Sequence, residues 1–144
     1  MDGAAPIDGF EVLPHPADIG LRFWGGTLAD ALCAAARGLT FLLSGPGELP
    51  ASFELQVSVT GEDRLDLLYA WLSEILYRFD ADATLVVGCE VISANDRFVS
   101  ARLRCAVFDP AGMSVPYYVK AVTFHQMALE PGPGGWDGRV YFDI

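Results

Sequence analysis

Asp143 stands one residue from the α-carboxyl of Ile144 in the segment Val140-Tyr141-Phe142-Asp143-Ile144. Another carboxylate, Asp18, lies near the opposite end in His15-Pro16-Ala17-Asp18-Ile19-Gly20. A hard cation such as calcium takes several oxygen ligands at about 2.3–2.6 Å, so carboxylates that converge in a fold can hold one. If the chain brings Asp18 to Asp143, a small acidic metal site results. The chain has two histidines and one lysine, and they fall either in the Asp18 segment or in Val119-Lys120-Ala121-Val122-Thr123-Phe124-His125.

Each of these residues also has a structural reading. Asp18 follows a loop held extended by Pro14 and Pro16, and a carboxylate there can cap a turn or bind a cation. His15 is a candidate ligand, a hydrogen-bond partner for Asp18, or a structural group. Lys120 falls on a stretch, Tyr117 to Glu130, that reads as a long central strand with apolar residues on both faces. A lysine there costs free energy unless it is paired or reaches a sheet edge. It is a candidate partner for carboxylates or a ligand phosphate. His125 lies on the opposite face by alternation, as a core histidine or a site group. Glu74 precedes Arg78 by four residues, the spacing of a helical ion pair.

Composition narrows the function classes. The 144 residues suit one domain, and 52% hydrophobic content with mean hydropathy +0.32 makes it globular. The segment Met1 to Gly9 reads as a short mobile arm without signal-peptide features, ahead of a domain over residues 10–144. No apolar run approaches the ~20 residues that span a bilayer. The formal net charge of −10 opposes tight binding to nucleic acid, which depends on neutralising phosphates. A cation or a basic protein surface is the better partner. Cys33, Cys89 and Cys105 are an odd, widely spaced set. They read as buried small side chains in a reducing, cytoplasmic setting rather than as a disulfide framework or zinc site. No phosphate-binding loop, dinucleotide fingerprint or nucleophile elbow is present.

The elements that would position the candidates follow from periodicity. Gly9 to Leu13 and Ile19 to Trp24 read as strands. Thr27 caps a helix over Leu28 to Leu43, stopped by Ser44-Gly45-Pro46-Gly47. Phe53, Leu55, Val57 and Val59 alternate with polar residues, as in a half-buried strand. Asp63 caps a second helix with an apolar stripe from Leu67 to Phe79. Strands around Thr84 to Ser93, Phe98 to Phe108, Tyr117 to Glu130 and Trp136 to Ile144 complete the chain. Two amphipathic helices packed on a mostly antiparallel, mixed β-sheet make a two-layer α+β sandwich.

Taken in order, His15-Pro16-Ala17-Asp18-Ile19-Gly20, the Thr27-to-Leu43 helix, Trp71-Leu72-Ser73-Glu74-Ile75-Leu76-Tyr77, Lys120-Ala121-Val122-Thr123-Phe124-His125 and Phe142-Asp143-Ile144 together resemble the archease family, from about Phe10 to Ile144. The resemblance implies a cytoplasmic helper of an RtcB-type RNA ligase in tRNA splicing and RNA repair. Such a helper speeds the ligase's guanylylation and permits multiple turnovers, and is not itself an enzyme. The resemblance also implies a divalent metal ion, with calcium the ion seen in the family and manganese or magnesium open in function. By motif, Asp18, Asp143 and the carboxylate of Ile144 become the metal ligands, with Glu74, Lys120, His15 and His125 in supporting or activating roles. Ser73 stands where the family motif often carries a second acidic or polar residue. Two other functions compete: a small metal-dependent phosphoester hydrolase using Asp18, His15 and His125, and a general protein chaperone.

Overall fold

A computed structural model of the protein describes residues 8–14 and 17–144. Its elements, in chain order, are β1 (Gly9–Pro14), β2 (Asp18–Gly25), α1 (Leu28–Ser44), β3 (Phe53–Thr60), α2 (Arg64–Asp82), β4 (Thr84–Asn95), β5 (Phe98–Val107), β6 (Ala121–Gly132) and β7 (Gly135–Asp143). The architecture is α+β. The strands divide between two sheets, β1-β2-β7-β6 and β3-β5-β4, and every ladder is antiparallel. Both helices lie against the apolar faces: α1 packs on β1, β2 and β4, and α2 on β6, β3, β4 and β5.

Local chemistry explains the helix limits. The Thr27 hydroxyl accepts the Asp30 N–H at 3.1 Å, and the Asp63 carboxylate accepts the Asp66 N–H at 2.9 Å. Each satisfies one of the donors that the first helical turn leaves open. At the far end of α1 the chain turns through Gly45, whose φ of +80° suits a residue without Cβ. Its N–H bonds the Phe41 carbonyl at 2.8 Å. Trp71 is fully buried and its indole N–H donates to the Leu32 carbonyl at 2.9 Å, which ties α2 to α1.

Gly9 opens β1, as the reading of Gly9 to Leu13 as a strand expected. One reading of the sequence needs correction. The segment Tyr117 to Glu130 is not one central strand: the strand starts at Ala121 and lies at the sheet edge beside β7. Val122 enters the core ahead of a register shift and Met127 and Leu129 after it, so the buried positions switch from even to odd. Phe124 is exposed and stacks on Tyr69 of α2 with ring centroids 4.3 Å apart. The shift, in the ladder to β7, falls between Thr123 and Ala128. Gln126 has φ +52° there, and its carbonyl accepts the Arg139 Nε–H at 2.8 Å. A bulge of this kind is a common way to end or re-aim an edge strand.

Candidate functional site

Strand register places the two aspartates. Asp18 opens β2, Asp143 closes β7, and the two are directly paired in the ladder. The next pair, Ile19 and Phe142, is buried in the core. Alternation therefore turns Asp18 and Asp143 to the sheet face away from the helices. Residues directly opposite in an antiparallel ladder have Cβ atoms roughly 4.5–5.5 Å apart. Asp18 is half-buried, with its Oδ1 enclosed, and Asp143 is exposed.

On the other side of Asp143 runs the start of β6. Ala121 pairs with Asp143, and the Lys120 N–H donates to the Asp143 carbonyl at 2.8 Å. The ends of β2, β7 and β6 are thus held side by side. One step inward on the same face, Tyr141 pairs with Gly20 on one flank and Thr123 on the other. The Tyr141 ring lies over Gly20, where a Cβ would come 2.6 Å from Cε1. The Thr123 hydroxyl donates to the Tyr141 carbonyl at 2.9 Å and accepts the His125 N–H at 3.3 Å. The His125 ring is exposed, its centroid 5.9 Å from that of Tyr141.

The donor set suits a hard cation in kind. Two carboxylates at neighbouring ladder positions can share one ion at calcium–oxygen distances of about 2.3–2.6 Å. Among the described residues no three His, Cys, Asp or Glu side chains gather at metal-ligand spacing. Backbone carbonyl or carboxyl oxygens and water are also ligands of hard cations.

The remaining candidates divide. His125 lies on the acidic face, one ring away from the Asp18–Asp143 pair. Lys120 adjoins the pair through its backbone, and it is exposed just ahead of β6 rather than buried within a strand. Glu74 is half-buried and its carboxylate accepts the Arg78 Nε–H at 2.6 Å, four residues on. Because α2 packs on the opposite side of the sheet, Glu74 is not on the face that carries the aspartates. His15 lies outside the described residues. Tyr141, Thr123 and Gly20 escaped the sequence reading, although each is two residues from a candidate or from another member of the patch, the spacing of one strand face.

Comparison with known proteins covers almost the whole chain. The model of the Archease protein family (MTH1598/TM1083) matches residues 10–144. An archease of Pyrococcus furiosus is 34% identical over 140 residues, covering 94% of this chain and 98% of the relative. An archease of Methanopyrus kandleri is 30% identical over 138 residues, with 94% and 99% covered. The solution structure of Methanobacterium thermoautotrophicum protein 1598 superposes with a TM-score of 0.77 at 28% identity, covering 94% of this chain and 99% of that one.

Proposed function

We propose that this chain, which belongs to the archease family, is an accessory protein that stimulates guanylylation and multiple turnover of an RtcB-type RNA ligase in tRNA splicing or RNA repair. The observation that carries the reading is the in-register pairing of Asp18 with Asp143, which sets two carboxylates from distant parts of the chain against each other on an open sheet face. Like charges directly opposite disfavour a ladder, and a divalent ion held between these two carboxylates would offset that repulsion.

In this reading Asp18, Asp143 and the carboxyl of Ile144 hold the ion, with calcium the first candidate and manganese or magnesium alternatives. A bound divalent cation would supply positive charge towards a triphosphate, which an acidic protein alone repels. The chain's own residues do the positioning. The Lys120 N–H and the flanking strands fix the backbone of Asp143. His125 and Tyr141 form a wall beside the pair, and the Lys120 ammonium remains open to an incoming carboxylate or phosphate. The net charge of −10 favours encounter with a basic ligase surface and makes association sensitive to salt.

The test is RNA joining by the cognate ligase under multiple-turnover conditions, with and without this protein. Stimulation should be lost in Asp18→Ala and Asp143→Ala variants whose circular dichroism matches wild type. Adding residues after Ile144 should weaken it by converting the carboxyl into an amide. Full stimulation by both alanine variants removes the acidic pair from the mechanism. Metal-dependent phosphoester turnover by the pure protein alone would favour a hydrolase, and suppression of aggregation in unrelated clients would favour a general chaperone.

A further inference from the structure

Cys33 and Cys89 are far apart in sequence, yet their sulfurs are 2.6 Å apart. Cys33 lies on the middle of α1 and Cys89 on β4, so the contact joins the helix beneath the first sheet to a strand of the second. The Cys33 thiol also approaches the Cys89 carbonyl, with Sγ 3.4 Å from the oxygen. Both residues are half-buried, whereas Cys105 is fully enclosed. The first two are thus nearer to solvent than the third. Their spacing is within roughly half an ångström of a disulfide bond, which measures about 2.05 Å. Taken from sequence alone, these two residues read as separate buried side chains; the packing of α1 on β4 overturns that.

We infer that Cys33 and Cys89 form a reversible thiol–disulfide couple, oxidised by a peroxide, that locks α1 onto β4. The chemistry starts at Cys33. Its thiol is shifted down because the Cys89 thiol can donate a hydrogen bond to the Cys33 thiolate. Burial opposes the shift, and the Arg37 guanidinium one turn along α1 assists it. Asp30, also on α1, acts weakly in the opposite direction. Cys89 is shifted up by the same contact and by burial, so Cys33 is the more readily ionised of the two. Arg37 is itself paired with Asp8 at 3.0 Å, so its help is partial; the thiolate is the nucleophilic form of cysteine.

The Cys33 thiolate attacks one oxygen of hydrogen peroxide, the O–O bond breaks, and hydroxide leaves, giving a sulfenic acid. The Cys89 sulfur then attacks Cys33 sulfur. The S–O bond breaks, and the Cys89 proton leaves with the hydroxyl as water. Two thiols and one peroxide become one disulfide and two waters: the sulfur pair loses two electrons and the peroxide gains them. Added thiol reverses the step by exchange through a mixed disulfide.

The experiment treats the native protein with hydrogen peroxide, quenches free thiols with an alkylating agent, and maps peptides without reduction. The expected result is a peptide pair joined through Cys33 and Cys89, with Cys105 alkylated after unfolding and the mass of the chain lower by two hydrogens. Dithiothreitol should return all three thiols. Closure of the intervening loop should raise the Tm by on the order of 10 °C. Cys33→Ser and Cys89→Ser variants should show neither the cross-link nor the peroxide-dependent rise in Tm. The proposal is overturned if peroxide yields only sulfinic or sulfonic acid at Cys33, if a link to Cys105 or a second molecule predominates, or if either serine variant keeps the rise. None of these outcomes bears on the proposed ligase role, which the couple does not require.

Discussion

Replacing Asp143 by asparagine should make the protein more stable without metal and less stable with it. Asp143 is the better of the two aspartates to change, because it is exposed whereas Asp18 is half-buried. Placing the two charges roughly 5 Å apart, as direct ladder partners are, gives a repulsion of about 3 kcal/mol at an effective dielectric constant of 20 and under ~1 kcal/mol in bulk water. Asp143 is exposed and Asp18 is half-buried, so a value on the order of 1–2 kcal/mol is appropriate. At roughly 2–4 °C per kcal/mol for a chain of this size, Asp143→Asn should raise the Tm in EDTA by about 2–8 °C. Calcium at a hundred times its dissociation constant should stabilise wild type by about 2.7 kcal/mol, or roughly 5–11 °C. The variant should lose most of that response. Differential scanning fluorimetry in EDTA and across a calcium series reads both effects. The signature is an inversion of the order of melting. If the variant melts below wild type in EDTA, the pair is not strained by its charges; if calcium stabilises both proteins equally, Asp143 is not a ligand.

Three further outcomes follow from other parts of the fold. Gly20→Val drives a Cβ towards the Tyr141 ring, 2.6 Å from Cε1; it should cost about 1–3 kcal/mol in urea denaturation, as overpacking does, and disturb the Tyr141 ring signals in NMR spectra. Trp71→Phe removes both buried volume and the bond to the Leu32 carbonyl, and should lower stability by on the order of 2 kcal/mol with little change in the urea dependence. Asp80 is an exposed residue in the last turn of α2, where partial desolvation raises its carboxyl above the ordinary 3.8 and the helix dipole disfavours a negative charge. The protonated form is the better fit to the fold, so the stability it contributes is complete below pH ~3.8 and is lost as pH rises through the raised value. Asp80→Asn should therefore melt above wild type at pH 7, and the gap should close at pH 3 in thermal unfolding.

The helices and most strands could be read from the sequence because local signals and packing agree. Thr27 and Asp63 cap where their side chains predict. The periodic apolar residues of α1 and α2 are those that become buried. The edge placement of β6 was less legible. Its pattern of apolar residues suits a strand covered on both sides, and only the tertiary fold reveals the bulge that switches the buried positions and leaves Phe124 exposed against Tyr69. Lys120 follows from the same correction. A lysine in a two-sided strand needs a partner, whereas one on the exposed approach to an edge strand does not, so its presence no longer argues for a buried ion pair.

Pairing between distant segments is what separates the legible part of the candidate site from the rest. Asp143 lies within an alternating segment, so its strand face could be read locally, whereas Asp18 read as a turn residue ahead of a strand from Ile19 and is in fact the first residue of β2. Their juxtaposition depends on register, and register is held by the pairs behind them: Ile19 with Phe142, then Leu21 with Val140. Both pairs are buried. A slip of one residue would turn the Ile19, Leu21 and Phe23 set out of the core, so the apolar interior enforces the meeting of two acidic groups that would otherwise repel. The same dependence hid the contact between Cys33 and Cys89, since neither α1 nor β4 signals the other locally. Glu74 is the converse case. Its spacing to Arg78 was sufficient to predict the ion pair that the helix forms, and α2 holds that pair on the side of the sheet away from the aspartates. A role for Glu74 therefore requires contact with a partner along α2, independent of any ion held by Asp18 and Asp143. Glu74→Gln should leave the calcium-dependent rise in Tm intact, and a loss of that rise would show that helix and acidic face act as one site.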